Sequence, residues 1–206
     1  MIKLHGSDKA TGFSPVRQAA RFDVFLRAIR SLDNQPGHIL DIGCNVGDFF
    51  RHLKFLQEDD PGKPLLFSYS GIDLNPQFIR IAKRRYTGAK FYCADALSVK
   101  GFELLKKLSP NIVVASGIFC YPERENFSKK LLVRLFGCAK SAVIVNFLSS
   151  EVTRKSNLIR YKADEVIEMA RKCRCESFEL WHSYLDNDMT LIMRKNYSHD
   201  CWNPST

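Results

Sequence analysis

Three aspartates in the first half of the chain each close an apolar, strand-like run. Asp41 follows the residues His38 to Leu40, Asp73 ends the run "LFSYSGID", and Asp95 ends the run "AKFYCAD". Successive strands of an open parallel sheet bring their carboxyl ends to one edge, and ligands bind in the crevice outside that edge. Carboxylate oxygens there can accept hydrogen bonds from hydroxyl or amino groups. The spacing therefore predicts a polar binding cleft.

A glycine turn follows the first of these runs. In "HILDIGCNVGDFF", residues 38–50, Gly43 and Gly47 lie where a strand passes into a helix. Glycine permits close backbone approach and positive φ, so this junction is suited to hold a ligand. A dinucleotide site would have the spacing G-x-G-x-x-G, whereas this turn has D-x-G-C-N-V-G. The turn therefore indicates a different ligand.

Strand-like runs and helical patterns alternate along the whole chain. An amphipathic helix is predicted over residues 15–30, and the last two apolar runs are predicted to form a hairpin around Asp186 and Asn187. The predicted strands are 38–42, 66–73, 89–95, 111–116, 141–148, 175–185 and 188–195. The later predicted helices are 47–57, one that opens at 75, 101–108, 123–137 and 163–172. This order predicts an α/β fold with a Rossmann-like, doubly wound, mostly parallel sheet of seven strands and a C-terminal antiparallel hairpin strand.

The composition is that of one folded domain. At 206 residues and 45% hydrophobic content, the chain can bury one sizeable core. We expect an N-terminal helical cap over 1–35, an α/β core over 36–195 and a flexible tail over 196–206. No stretch approaches the roughly 18 apolar residues of a membrane span, and the first residues show no apolar signal region. We therefore expect a soluble, cytoplasmic protein with no membrane partner.

Seven cysteines are scattered along the chain, most of them inside apolar runs. The odd number and the positions favour reduced thiols that pack as small hydrophobes. There is no Cys-x-x-Cys, and the spacing of Cys173, Cys175 and His182, or of His199 and Cys201, matches none of the usual zinc sites. We predict no metal site.

The formal net charge of +9 raises the question of a polyanionic partner. Basic residues cluster at 80–85, at 154–162 and at 171–174, without the aromatic interleaving expected of a stacking platform for nucleic acid. A solvated basic surface is favoured over a nucleic-acid groove, and an RNA partner stays open as the alternative.

The motif "LDIGCNVGDF" resembles the first motif of the class I S-adenosylmethionine-dependent methyltransferases, an acid followed by Gly-x-Gly-x-Gly. Asn45 replaces the middle glycine, and asparagine tolerates left-handed φ better than other non-glycine residues. In that family an acid after the second strand binds the ribose hydroxyls, and an acid or amide after the third strand meets the adenine amino group. Asp73 and Asp95 occupy those positions. The resemblance implies that S-adenosylmethionine is bound by Asp41, Gly43, Cys44, Asn45, Gly47, Asp73, Leu74, Asp95, Ala96 and Ser116.

Two residues are candidate catalytic groups if the acceptor needs a base. Tyr121 precedes Pro122 in the loop after the fourth strand, where the resemblance places the methyl group, and its alternative is a loop-anchoring aromatic. His182 continues the alternation of Phe178 and Leu180, which favours a histidine packed on the sheet over a poised base.

The resemblance extends over residues 38–120 by motif and over the rest by layout. It implies in-line methyl transfer to an oxygen or nitrogen of a small-molecule acceptor, with the loop 149–162 and the N-terminal helix over the acceptor pocket. An RNA methyltransferase and an inactive cofactor-binding scaffold or subunit are the open alternatives. The sequence contains no Asn-Pro-Pro-Tyr, which disfavours methylation of adenine amino groups.

Overall fold

The structure is a computed structural model that describes residues 14–32, 37–59, 67–121, 126–151, 157–175 and 177–195. The predicted tail over 196–206, the part of the predicted cap that precedes Ser14, and residues 152–156 of the long polar loop lie outside the described residues.

Helices and strands alternate along the described residues. The helices are α1 (Pro15–Arg30), α2 (Asp48–Asp59), α3 (Pro76–Arg85), α4 (Val99–Leu108), α5 (Phe127–Cys138) and α6 (Ala163–Lys172). The strands are β1 (Gly37–Ile42), β2 (Phe67–Asp73), β3 (Lys90–Cys93), β4 (Ile112–Ala115), β5 (Ala142–Leu148), β6 (Ser177–Trp181) and β7 (Asp188–Arg194). The predicted α/β alternation is confirmed, and α1 and α6 have the predicted ends.

Capping residues fix where two of the helices begin. Ser14 accepts a hydrogen bond from the backbone N–H of Arg17, and Pro15 occupies the first turn of α1. In the same way the Asn75 side chain accepts from the N–H of Gln77 at 2.9 Å at the start of α3. A polar cap followed by proline satisfies an otherwise unpaired N–H and fits the helical φ. The predicted helix start at Asn75 is confirmed.

The seven strands form one sheet in the order β3-β2-β1-β4-β5-β7-β6. Strands β1 to β5 pair in parallel, and β7 runs antiparallel between β5 and β6. Strand β1 pairs with β2 on one side and with β4 on the other, so the strand order reverses there. A ligand crevice is expected outside the carboxyl ends of strands at such a reversal.

Apolar side chains alternate between the two faces of the sheet. Leu40, Val113 and Val145 belong to one buried cluster, which also contains residues of α4, α5 and α6. Ile39 and Ile112 belong to a second cluster, together with residues of α1, α2 and α3. The doubly wound arrangement is therefore confirmed, and both faces of the central strands are covered.

The last predicted strand before the hairpin is shorter than predicted. Strand β6 ends at Trp181, and Ser183 has a left-handed φ of 65°, which is incompatible with a continuing strand. The side chain of His182 is exposed and lies close to the Ser183 hydroxyl, at 2.8 Å. The interpretation of His182 as a histidine packed on the sheet is wrong, because the alternation continues in the sequence beyond the end of the strand.

Candidate functional site

A cavity of about 350 Å³ lies outside the carboxyl ends of β1 to β4. The structure places most of the predicted site residues on its wall: Asp41, Gly43, Cys44, Asn45, Asp73, Leu74, Asp95, Ala96, Ser116 and Tyr121. Gly47 and His182 are not part of this wall. The cleft that the three aspartates predict therefore lies where the strand order reverses.

The glycine turn is folded onto the end of β2. The N–H groups of Gly43 and Cys44 both donate to the carbonyl of Ile72, at 2.8 and 3.1 Å. Gly43, Asn45 and Gly47 have positive φ of 76°, 53° and 86°. A Cβ on Gly47 would lie 2.8 Å from the Tyr86 ring, so this glycine serves the packing of the turn and not the cavity wall.

Asp73 holds the turn and the next helix together. Its Oδ2 accepts from the N–H of Asn45 at 3.0 Å, and its Oδ1 accepts from the N–H of Asn75 at 2.8 Å. Each carboxylate oxygen can accept more than one hydrogen bond, so both can also accept from a ligand. Asn75 caps α3, so Asp73 is not needed for that role. The two backbone contacts instead orient the Asp73 carboxylate within the cavity wall.

Asp95 follows β3 in the chain. Its Oδ1 accepts from the N–H of Leu97 at 2.8 Å, and its carbonyl accepts from the Ser98 hydroxyl at 2.8 Å. Ser98 in turn caps α4 through the N–H of Gly101. The carboxylate of Asp95 is therefore fixed by its own loop, half-buried in the wall of the cavity.

Asp41 is the most deeply placed carboxylate of the wall. Its Oδ2 accepts from the Tyr69 hydroxyl at 2.5 Å, and the side chain is buried. Burial raises the pKa of Asp41 to about 7, against the Tyr69 hydrogen bond, and the nearby Asp73 and Asp48 raise it further. Near pH 7 the Asp41 carboxyl group is therefore only partly ionised. No local pattern in the sequence indicated its tyrosine partner.

Helix α1 forms the opposite wall of the cavity through Gln18, Arg21 and Phe22, none of which was predicted. The Arg21 guanidinium is 1% exposed and donates to Oδ1 of Asp188 at 3.1 Å. A buried charge is stable only with a close partner of opposite charge. Because Asp188 lies 167 residues further along the chain, no local pattern could reveal this pair.

A second chain of contacts runs from Asp188 to the loop after β4. Asn146 donates through Nδ2 to Oδ1 of Asp188 at 2.7 Å and accepts through Oδ1 from the N–H of Gly117 at 2.8 Å. Asn146 and Asp188 are both buried, and Gly117 lines the cavity. The loop wall and the α1 wall are therefore anchored to the same carboxylate.

The segment that follows β5 also forms hydrogen bonds with the loop 116–121, which contains Tyr121. The N–H of Ile159 donates to the carbonyl of Cys120 at 2.7 Å, and the Tyr161 hydroxyl donates to the carbonyl of Phe119 at 3.1 Å. Tyr121 is half-buried, and burial raises the pKa of its phenol above the usual value. Its hydroxyl is therefore protonated near neutral pH.

His182 lies on the wall of a different cavity, of about 340 Å³. That cavity is also lined by Ser149, Glu151 and Asp186. Asp188, the hydrogen-bond partner of Arg21, lines it as well. The structure does not bring His182 together with the other predicted site residues.

Within the described ranges, no group of three or more His, Cys, Asp or Glu side chains is arranged to hold a metal ion. No helix of the described part of the chain is long and apolar enough to cross a membrane.

The chain matches known proteins by its structure. No protein-family model and no curated protein sequence matches it. Solved structures do match: magnesium protoporphyrin IX methyltransferase from Synechocystis PCC 6803 with bound S-adenosylhomocysteine (SAH) superimposes with a TM-score of 0.64 at 13% identity, over 88% of this chain and 84% of that one.

Two further structures agree with this match. A SAM-dependent methyltransferase from Archaeoglobus fulgidus has a TM-score of 0.64 at 13% identity, over 91% of this chain and 97% of that one. The CMeT domain of the citrinin polyketide synthase has a TM-score of 0.62 at 15% identity, over 86% of this chain and 51% of that one. The chain has the fold of the class I S-adenosylmethionine-dependent methyltransferases.

Proposed function

We propose that the chain is an S-adenosylmethionine-dependent methyltransferase that acts on a small-molecule acceptor. The observation that carries the proposal is the grouping of Asp73, Asp95 and the turn of Gly43 on one cavity wall, next to Ser116 and Tyr121. A fold of this kind hosts many activities, so we infer function from this site and not from the fold alone.

The residues of the wall fit the proposed cofactor. Asp73 would accept from the two ribose hydroxyls, because both of its oxygens are already oriented by backbone N–H groups. Asp95 would accept from the adenine amino group, with Leu74 and Ala96 beside it. The buried side-chain amide of Asn45 has neither of its polar atoms paired within the described residues, as expected of a group that waits for a polar ligand.

The chain's own contribution to the reaction is orientation and the exclusion of water. When bound, the cofactor's sulfonium supplies an activated methyl group, which an acceptor atom takes by in-line displacement. Alignment of two reactants in a closed site accounts for several kcal/mol of barrier lowering. Helix α1 covers one side of the cavity through Phe22, and Phe127 and Leu131 supply further apolar surface.

Tyr121 is the residue that we propose to contact the acceptor. Its phenol is protonated near neutral pH because burial raises its pKa, so it would hydrogen-bond the acceptor and orient it instead of removing a proton. His182 is the second candidate, and it lies on the wall of the other cavity and not with the remaining predicted site residues.

A small acceptor is favoured over RNA by the charges in the cavity. Its wall carries the carboxylates of Asp48, Asp73 and Asp95 and the partly ionised Asp41, and its one cationic residue among those described, Arg21, is neutralised by Asp188. Among the described residues, the wall therefore offers a phosphate group no cation without a counter-charge. Two structures of the same fold are named for small-molecule chemistry, a magnesium protoporphyrin IX methyltransferase and a polyketide synthase domain.

The proposal is tested with methyl-labelled S-adenosylmethionine. The protein is incubated separately with pooled metabolites and with total RNA, and the label is followed into each fraction. We expect label in the metabolite fraction. Label in RNA would overturn the small-molecule proposal, and tight SAH binding without any transfer would favour the scaffold alternative.

A further inference from the structure

Basic residues that are far apart in the sequence meet at one edge of the sheet. Strands β1 to β5 are parallel, so their amino ends share one edge, opposite the carboxyl edge at which the cavity lies. Helices α1, α3 and α4 each have two or three basic residues in the last turn. Because these helices lead the chain back to the starts of β1, β3 and β4, their last turns lie at the amino edge.

Six exposed residues of this region form what we term the basic edge. Two of them end α3, one begins β3, two lie in the last turn of α4, and one precedes β5. They are Arg84, Arg85, Lys90, Lys106, Lys107 and Lys140. None of the six forms an ion pair with another residue of the described part of the chain. Their charges are therefore available to a partner outside the chain.

His38, near the start of β1, shows that these segments are close together. One of its ring nitrogens, Nδ1, lies 3.0 Å from the carbonyl oxygen of Leu108, at the end of α4. Burial lowers the pKa of His38, against the Leu108 hydrogen bond, and the charges of Lys140 and Lys90 lower it further. The end of α4 and the starts of β3 and β5 therefore surround the start of β1.

The helix dipole accounts for only a part of this pattern. A cation in the last turn of a helix gains about 0.3–1 kcal/mol from the partial negative charge at the helix C-terminus. Lys90 and Lys140 lie outside the helices, so the dipole does not explain their positions. Like charges at one edge repel each other unless a counter-charge is supplied. A polyanionic partner would supply that counter-charge.

The dimensions of the basic edge match a row of phosphate groups. In the order β3-β2-β1-β4-β5, four spacings separate β3 from β5. At about 4.8 Å for each spacing, Lys90 and Lys140 begin strands that are about 19 Å apart. One strand of a nucleic-acid duplex in the B form has one phosphate per roughly 3.4 Å, and so presents about five or six phosphates over that length.

The surroundings of the basic edge favour a nucleic acid over a membrane surface. Among the described residues, no large apolar side chain is exposed in the last turns of α3 and α4. Binding in a membrane interface combines cations with apolar side chains that enter the acyl boundary. We propose that the basic edge binds the phosphodiester backbone of a nucleic-acid duplex, without recognition of its base sequence.

This binding surface is separate from the cavity. The six residues of β1 span about 20 Å between the amino edge and the carboxyl edge of the sheet. A duplex on the basic edge is therefore not the methyl acceptor, and the cavity stays open to a small molecule. The inference does not depend on the proposed cofactor or on methyl transfer.

The test is a salt titration of duplex binding, followed by fluorescence anisotropy. The probes are RNA and DNA duplexes of about 20 base pairs, each in two unrelated sequences. Neutralisation of six phosphates predicts that log affinity falls against log salt with a slope of about −5. The ratio of the RNA and DNA affinities shows which nucleic acid provides the better backbone.

A double variant removes two charges from the basic edge. For Arg84→Gln with Lys107→Gln we expect a slope closer to zero by about 2, and at least about tenfold weaker binding at about 100 mM salt. The matched control is Lys129→Gln with Lys130→Gln, which removes the same charge from exposed residues in the first turn of α5, at the carboxyl edge. The control should bind both duplexes as the wild type does.

Three results would overturn the inference. The first is a wild-type protein that binds neither duplex at about 50 mM salt. The second is an equal loss of affinity in the double variant and in the control, which would place the binding elsewhere on the surface. The third is tight binding to vesicles of equal parts phosphatidylserine and phosphatidylcholine without binding to either duplex, which would identify a membrane surface as the partner.

Discussion

Asp188 and Arg21 form a buried ion pair, with Oδ1 of the carboxylate 3.1 Å from Nη1 of the guanidinium. Asp188 begins β7, opposite Leu148 at the end of β5, and Arg21 lies in the middle of α1. The ion pair therefore links α1 to the carboxyl edge of the sheet, at the side of the cavity beyond Ser116.

Removal of the Asp188 carboxylate should be strongly destabilising. Asp188→Ala leaves the Arg21 guanidinium buried without its counter-charge, and we expect a loss of about 3–5 kcal/mol in the free energy of unfolding. Urea unfolding measures this loss. Asp186→Ala is the control, because Asp186 is half-exposed and its ion pair with Arg17 should contribute at most about 1 kcal/mol. A loss for Asp188→Ala no larger than that of the control would contradict the role of the pair.

Replacement of both partners should recover much of that stability. In the double variant Arg21→Met with Asp188→Leu, no charge is left buried, and apolar side chains of similar volume often match or exceed a buried ion pair. We expect the double variant to be more stable than Asp188→Ala alone, by urea unfolding. A double variant that is less stable would show that the carboxylate acts mainly through Asn146.

Asp73→Ala should weaken cofactor binding and leave the fold intact. The side chain is proposed to bind two ribose hydroxyls, and loss of hydrogen bonds to a charged group costs about 1.5–3 kcal/mol. SAH titration calorimetry should therefore show roughly 10- to 150-fold weaker binding. Asp164→Ala is the control, since Asp164 is exposed in the first turn of α6. Unchanged SAH affinity in Asp73→Ala would show that Asp73 serves only the turn.

Stability should depend on pH through Asp41. Burial raises the pKa of Asp41 to about 7, whereas an unfolded aspartate titrates near 3.9. The folded state therefore keeps a proton that the unfolded state releases, and this group's contribution falls as pH rises from about 4 to 7. Relative to Asp41→Asn, the wild type should lose up to about 4 kcal/mol over that range. Parallel stability curves for the two proteins, with exposed Asp164→Asn as a reference, would refute the raised pKa.

Tyr161→Phe should loosen the loop 116–121. The Tyr161 hydroxyl donates to the Phe119 carbonyl and lies 2.8 Å from the Ser128 hydroxyl, and loss of one such bond costs about 1 kcal/mol. Amide hydrogen exchange in peptides that cover the loop should become about fivefold faster. The Tyr92→Phe variant, whose hydroxyl has no recorded hydrogen bond in the described part of the chain, should exchange as the wild type does. Equal exchange in both variants would contradict the role of Tyr161.

Much of the fold could be predicted from the sequence because its signals are local. Several predicted strands end in an acidic residue. Glycine and asparagine indicate the turn, and Asn75 with Pro76 indicates the start of a helix. Each of these signals lies within a few residues of the feature that it fixes. The position of the cleft then follows from the rules of parallel sheets, whereas the strand order was not predicted.

The partners of the site residues could not be predicted in this way. Arg21 meets Asp188, Asn146 meets Gly117, and Tyr69 meets Asp41 only after the sheet has formed. Periodicity reports which face a residue occupies and carries no information on which distant polar group it meets. For His182 the periodicity was misleading. The apolar alternation continues in the sequence past the residue at which the strand ends.

The position of β7 between β5 and β6 sets an order of assembly. Strand β6 leaves the ribosome before β7, yet β7 is its only strand partner among the described elements, so β6 must wait unpaired until residues 188–194 are made. The counter-charge of Arg21 arrives with the same late segment, at Asp188. During synthesis the chain can therefore form β1 to β4 and the turn of Gly43 early, while the wall built by α1 is locked only by the last strand. Domains whose final strand inserts beside earlier ones keep an open sheet edge for that interval, which is a period of exposure to aggregation.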